Sequence, residues 1–377
     1  MLRIEIPTPC LFALHAEDPD RAAAYAADHF EPEAIVTLAP SEELHAPPAV
    51  RKRVGARLRD RQLIVVCGRL EPTGLRQDLV RLAKLENHYA TALLLGELDS
   101  QRVADWRKEG FRRVWEATGG EPVELTKTRL RSDLRHLRGP FDVIGDVHGC
   151  REELEELLAK LGYALEPGEI GPIARHPDGR TLVFLGDLCD RGPDTPGALR
   201  LAMASVREGD ALCVPGNHEA KLRRYLKGSQ VNHAYGFDAT VEQLADASPD
   251  FLVRIADFID DLPSHLMLDG GELCVTHAGL PPRLQGRASR RVRSHCLYGE
   301  TTGETDAKGY PIRVDWAAKE TEGAFVVYGH TPVGEPKPAP RAICIDTACV
   351  FGGSLTAFRW PERELVSVPA RRTYFEQ

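Results

Sequence analysis

The chain has 377 residues, enough for about two domains. With 42% hydrophobic and 28% charged residues, and no apolar run near the ~18 residues that span a bilayer, it reads as a globular protein with no membrane partner. A net charge of −8 argues against general nucleic-acid binding, but basic clusters persist locally, above all "RLQGRASRRVR" with Arg283, Arg287, Arg290, Arg291 and Arg293.

The opening "MLRIEIPTPC" lacks the charged-then-apolar layout of a signal peptide. Nine scattered cysteines without a CxxC pair favour a reducing cytoplasm over a disulfide framework. "CLFAL" predicts a strand and "EDPDRAAAY" a turn into an alanine-rich helix. "AIVTLA", "QLIVVCG" and "TALLLGEL" predict further buried strands, and the last two are separated by a helical pattern, "GLRQDLVRLAKLENHY". Residues 1–115 therefore read as a smaller α/β domain with a parallel sheet. Residues 116–140 are charged, carry Gly-Gly and Gly-Pro, and read as a connector with one amphipathic helix.

Residues 141–377 read as a second α/β domain. Five of its predicted strands stop in the same way, an apolar run giving way to a glycine-flanked polar residue. These endings supply Asp146 and His148, Asp187 and Asp190, Asn217 and His218, His277, and His330. One histidine or one aspartate after a strand is ordinarily a surface group or a helix cap. Five repeats are different, because the carboxyl ends of strands in an open α/β sheet are where ligands bind.

Carboxylates, imidazoles and one amide, without cysteine, suit Mn²⁺ first, with Fe, Zn or Ni as alternatives. Asp146 and His148 can face one ion, Asp187 can bridge two, and Asn217, His277 and His330 can complete the second. Two such ions ~3.5–4 Å apart bind a shared hydroxide at neutral pH and clamp a phosphoryl group for in-line attack. Arg191 can grip phosphate oxygens bidentately, and His218 can protonate the leaving oxygen.

"GDVHG", "GDLCDRG", "GNHE", "THAGL" and "GHT", in this order, resemble the calcineurin-like metallophosphoesterases, and "GDxxDRG" with "GNHE" resembles their phosphoprotein-phosphatase-like branch. The resemblance covers about residues 141–360 and implies a binuclear metallophosphatase built on two packed sheets flanked by helices, an αββα arrangement. It places the first ion on Asp146, His148 and Asp187, and the second on Asp187, Asn217, His277 and His330. It also pairs His218 with Asp190.

"LYGETTGETDAKGYPIRVDW" and "IDTACVFGGSLTAFRW" look more narrowly like the phosphatase module of bacterial polynucleotide kinase-phosphatase, which implies an active-site role for Asp346. Ala348 departs from that family's glycine, which matters if the backbone there needs a positive φ. Upstream, "HFEPEAIVTLAP" and "QLIVVCGRLEP" look like the kinase module of the same enzyme. Its phosphate-binding GxxxxGK[ST] is missing: "LHAEDPDRAAAY" offers Glu17, Asp18 and Asp20 instead, Ala39 and Pro40 stand where a catalytic aspartate is due, and the lid is shortened to "DSQRVADW". The first domain thus reads as degenerate and without kinase activity, or as an unrelated small α/β domain.

The expectation is a cytoplasmic metal-dependent phosphatase acting on RNA-end or nucleotide phosphates (2′,3′-cyclic, 2′ or 3′) in RNA repair. A repair-protein partner would be held through the first domain. A protein Ser/Thr phosphatase or a dinucleoside tetraphosphatase on the same site, and a non-enzymatic repair scaffold, are the alternatives.

Overall fold

A computed structural model describes residues 2–38, 44–97, 99–118, 122–305 and 311–376. Ala39 and Pro40 lie outside the described residues, as do residues 306–310 of the "GETTGETDAKGY" segment. The chain divides into two compact units, Met1–Leu130 with Gly286–Val292, and Arg131–Gln285 with Arg293–Gln377.

The first unit runs β1 (Leu2–Thr8), β2 (Leu11–Ala16), α1 (Pro19–His29), β3 (Ile35–Thr37), α2 (Pro48–Arg59), β4 (Ile64–Gly68), α3 (Thr73–Leu85), β5 (Ala90–Leu95), α4 (Ser100–Glu109), β6 (Arg113–Ala117) and β7 (Val123–Arg129). Strands β2 to β6 form an all-parallel sheet in the order β3-β4-β2-β5-β6. Every residue of β2, β4 and β5 is buried, as in a parallel sheet covered on both faces. Alternate residues serve opposite faces: Leu11 and Ala13 join Leu58, Leu79 and Trp106, whereas Phe12 and Leu14 join Ala22 and Ala26.

The helix expected in 116–140 is instead β7, paired in parallel with β1. The reason is the period. In "VELTKTR", Val123 and Leu125 pack inward while Glu124 and Thr126 are exposed, an alternation of two.

The stretch "LHAEDPDRAAAY" is the end of β2, a turn and α1. Asp18 caps the helix, its carboxylate accepting from the Asp20 amide at 3.0 Å. Glu17 pairs with Arg102 at 3.3 Å. A helix start that would otherwise offer its amides to phosphate is served by the chain's own carboxylate. Within the arginine run, Arg283, Arg290 and Arg291 are exposed and one member turns inward. Arg287 is buried, and its guanidinium donates to the carbonyls of Leu58, Arg59 and Glu86 at the ends of α2 and α3.

The second unit comprises β8 (Phe141–Ile144), α5 (Arg151–Leu161), β9 (Ala164–Glu166), β10 (Ile173–Arg175), β11 (Thr181–Phe184), α6 (Thr195–Glu208), β12 (Leu212–Cys213), α7 (Asn217–Leu226), α8 (Phe237–Gln243), α9 (Pro249–Asp261), β13 (Leu266–Leu268), β14 (Leu273–Val275), β15 (Thr301–Thr305), β16 (Pro311–Arg313), β17 (Phe325–Tyr328), β18 (Lys337–Ala339), β19 (Ala342–Cys344), β20 (Ser354–Trp360) and β21 (Glu364–Pro369). Two five-stranded sheets result, β12-β11-β8-β20-β21 and β13-β14-β17-β19-β18. Phe141, Val143, Val183 and Phe358 of the first meet Leu273, Val275, Val327 and Ile343 of the second in one apolar cluster, the layer between the sheets. Leu182, Phe184 and Leu355 face the other way, onto α5, α6 and α9 through Leu157, Leu199 and Ile255. This is the αββα architecture expected from the motifs. All nine cysteines are buried and free of disulfides, and no helix among the described residues is long and apolar enough to cross a membrane.

Candidate metal centre

Within the first sheet of this unit β12, β11 and β8 are adjacent and mutually parallel, and within the second β14, β17 and β19 are too. Their carboxyl ends therefore open on one edge of each sheet, and the loops that leave them, together with the first turn of α7, carry all ten candidate residues. These loops are wound tightly. His148, Asp187, Asp190, Arg191, His330 and Ala348 have φ between 45° and 74°, six of the eleven described non-glycine residues with positive φ. Such backbone gathers at functional sites, where it turns side chains that a regular strand would splay apart. Two glycines are required by proximity. A Cβ on Gly216 would stand 2.0 Å from Asp187 Oδ1, and one on Gly329 2.0 Å from Asp146 Oδ1.

Asp187 is the hub. Its Oδ2 lies 3.4 Å from His277 Nε2, 3.6 Å from His148 Nε2 and 3.9 Å from His218 Nε2. Two groups of potential metal donors share it, His148–Asp187–His218 and Asp187–His277–His330. Nδ1 of His148 is anchored on the Cys189 carbonyl at 2.8 Å and Nδ1 of His277 on the Leu185 carbonyl at 3.1 Å. A carbonyl partner fixes the proton on Nδ1 and leaves Nε2 a bare lone pair, the form that binds a metal. His277 Nε2 then faces Asn217 Oδ1 and His330 Nδ1, each at 3.0 Å. Two acceptors that point at one another, as His277 Nε2 and Asn217 Oδ1 do, are what a cation satisfies.

Asp146 ties two loops together. Its Oδ2 accepts from the His330 amide at 3.0 Å, and its Oδ1 is buried without a partner, as is Nε2 of His330. Burial raises the carboxyl pKa of Asp146, with the charges of Asp346 and Asp187 adding to it, and burial followed by Glu219 does the same to Asp187. Burial also lowers His148 and His330 well below the usual imidazole range and takes His277 to about 3. Crowded acids beside imidazoles held neutral make a donor set that can hold two divalent cations.

The remaining candidates border this cluster. His218 Nδ1 is hydrogen-bonded to the Asp190 carboxylate, which turns Nε2 toward Asp187. Burial raises Asp190 to about 6, opposed by a hydrogen bond from the Thr240 hydroxyl at 2.6 Å. Arg191 reaches the cluster edge, Nη1 2.8 Å from His148 Nε2, with its guanidinium carbon over the Phe351 ring at 5.2 Å. Asp346 is buried and accepts from the Ala348 amide at 3.1 Å.

Ala348 itself occupies the left-handed region at φ 62° and ψ 38°. An L-side chain pays roughly 1–2 kcal/mol there, part of which glycine returns as unfolded-chain entropy. Ala348→Gly is expected to stabilise the protein by about 0.5–1 kcal/mol, read as a higher urea midpoint at unchanged slope; a lower midpoint would contradict the strain.

Two residues of the site escaped the sequence reading. Glu219, the last letter of "GNHE", accepts from the amides of Asp187, Leu188 and Gly216 at 2.7, 2.7 and 2.8 Å. Its signal was the acid at the third position of a helix start, which reaches back to the cap amide as one half of a capping box. Thr240 lies fifty residues from Asp190 and carried no sequence signal.

Residues 139–348 match the calcineurin-like phosphoesterase family. The chain is similar to an asymmetrical bis(5′-nucleosyl)-tetraphosphatase of Bacillus subtilis, 45% identical over 240 residues that make up 63% of this chain and 97% of that protein. Its counterpart from a Geobacillus species is 44% identical over 62% of this chain and 96% of its own length. The matched family span runs from before Asp146 to beyond Asp346 and so contains all ten candidates, and the chain belongs to the calcineurin-like phosphoesterases as a metallophosphoesterase, a hydrolase.

Proposed function

We propose that the chain hydrolyses nucleotide phosphoanhydrides, with bis(5′-nucleosyl) tetraphosphates as the preferred substrate, on two divalent cations, Mn²⁺ first. The observation that supports the chemistry is the convergence of buried imidazole nitrogens on Asp187 from both sides. The substrate rests on the tetraphosphatases that this chain covers almost end to end. That likeness reverses the order taken from sequence, in which RNA ends came first.

Asp146, His148 and Asp187 are assigned to one cation, and Asp187, Asn217, His277 and His330 to the other. When bound, the pair supplies water activation at neutral pH and charge neutralisation on the phosphoryl group. Arg191 is placed to bind phosphoryl oxygens from the cluster edge. His218, oriented by Asp190, passes a proton to the leaving oxygen through Nε2 once it has taken one up, since burial holds its imidazole well below the usual range. Asp346 keeps a second acid beside Asp146.

The test is a panel with Mn²⁺: diadenosine tetraphosphate, an RNA 2′,3′-cyclic phosphate, an RNA 3′-phosphate and a phosphoserine peptide. Cleavage of the dinucleotide to ATP and AMP with the highest kcat/KM is expected. RNA ends losing phosphate while the dinucleotide stays intact would overturn the assignment. The first unit is assigned a positioning role for substrate or partner, because its helix start is already capped by Asp18. ATP with a 5′-hydroxyl RNA end, carried in the same panel, is expected to give no phosphoryl transfer.

A further inference from the structure

We infer that a cavity beside the metal centre, walled by Phe351 and Phe375, is the seat of a nucleobase and sets the preference for nucleoside-bearing substrates. This rests on the proposed function and names the part of the substrate that the donor cluster does not reach. The cavity measures about 450 Å³ and lies between the loop Pro332–Gly334, the turn at Ala348–Phe351 and the segment Thr373–Glu376. That volume falls in the ~300–1,000 Å³ range of small-molecule sites.

Its walls are continuous with the candidate site. Val333 donates its amide to the Asp346 carbonyl at 2.9 Å, and Ala348 donates to the Asp346 side chain. Tyr374 and Phe375 both donate to the Val350 carbonyl, at 3.0 and 3.1 Å, which fixes the segment that carries Phe375 against the turn that carries Phe351. The two phenyl rings are 6.3 Å apart at 62°.

Arg191 spans the two regions. Its Nη1 lies 2.8 Å from His148 Nε2 at the donor cluster, and its guanidinium carbon stands 5.2 Å from the Phe351 centroid and 5.9 Å from that of Phe375. A ligand that gives an anionic group to one end of this guanidinium meets two aromatic surfaces at the other. A phosphate followed by a flat π-system satisfies both, and a nucleotide has that order of parts. An aliphatic phosphomonoester would leave the aromatic walls unused.

Phe351 and Phe375 are only partly buried, so ring surface remains for a base. Stacking on an aromatic side chain is worth ~1–3 kcal/mol per base, roughly five- to 150-fold in affinity. Both rings hold specificity in this reading, and neither takes part in bond breaking.

The experiment is calorimetric titration of the Mn²⁺-loaded full chain with AMP and with ribose 5-phosphate, which differ by the base alone. AMP is expected to bind about tenfold more tightly. Phe375→Ala and, independently, Phe351→Leu are expected to bring AMP down to the level of ribose 5-phosphate while leaving the ribose 5-phosphate affinity in place, and that unchanged affinity reports an intact fold. Phe351→Tyr is expected to retain the advantage. Equal binding of the two ligands to the wild type, or an AMP advantage that survives both substitutions, overturns the inference.

Diadenosine tetraphosphate is expected to displace AMP at lower concentration than an RNA oligonucleotide 3′-phosphate does; the reverse order overturns the free dinucleotide as the source of the base. Failure to cleave diadenosine tetraphosphate with the AMP advantage intact would count against the proposed function alone.

Discussion

Asp187→Asn is expected to lower the rate of Mn²⁺-dependent cleavage of diadenosine tetraphosphate by about 10²–10³-fold while leaving the fold in place. The substitution is nearly isosteric and keeps an oxygen where Oδ1 accepts from the His218 amide at 3.1 Å. What it removes is the negative charge amid three imidazoles and the second oxygen that both donor groups share. Stability in chelator should not suffer. Burial, then the Glu219 charge, already disfavours ionisation of Asp187, so a neutral amide is the easier occupant without metal. The measurement is a pair: turnover with Mn²⁺, and thermal melts with and without chelator. In the wild type Mn²⁺ should raise the melting temperature, by the linkage between binding and folding, and in the variant that increment should shrink. A variant that keeps more than about a tenth of the wild-type turnover would remove Asp187 from the centre of the mechanism.

His218→Ala should cost about 10²–10⁴-fold in kcat, and the size of the loss should depend on the leaving group. His218 reaches the cluster with Nε2 because Asp190 holds Nδ1, and Asp190 is itself held by the Thr240 hydroxyl and bonded through its amide to Thr240 Oγ1 at 2.9 Å. A proton donor is needed most when the leaving oxygen is basic. The loss should therefore be large for an alkyl phosphate and small for an activated aryl phosphate. Rates for a series of leaving groups, wild type against variant, decide the matter. A uniform loss across the series would make His218 a metal or phosphate contact instead, a role its presence in one donor group also permits.

The sequence carried the second unit well for a physical reason. Each site residue follows directly on a buried strand, so "DVIGDVH", "VFLGDLCDR" and "CVPGNHE" display both the apolar run and the polar group that its end presents. The parallel pairing of β8, β11 and β12 then does the assembling. What sequence withheld was long-range partnership: Thr240 beneath Asp190, Val333 on Asp346, and the segment after β21 that brings Phe375 to Phe351. β7 was misread because its apolar residues are few and one edge faces solvent, so composition outweighed an alternation over only seven residues. Within the arginine run one member was hidden for the opposite reason. Charge marks where a guanidinium starts along the chain, and Arg287 ends among helix carbonyls.

The single carboxylate of Glu219 gathers the amides of Asp187, Leu188 and its own helix start at Gly216. One side chain thereby fastens the loop after β11 to the loop after β12, although it offers nothing to a phosphate. In a screen scored by turnover alone, damage at Glu219 would be indistinguishable from damage at a metal ligand. Of the four letters in "GNHE", Gly216 is needed for clearance, Asn217 and His218 carry the groups proposed for chemistry, and Glu219 is a rivet, so the motif records an assembly tolerance as much as a proposed reaction.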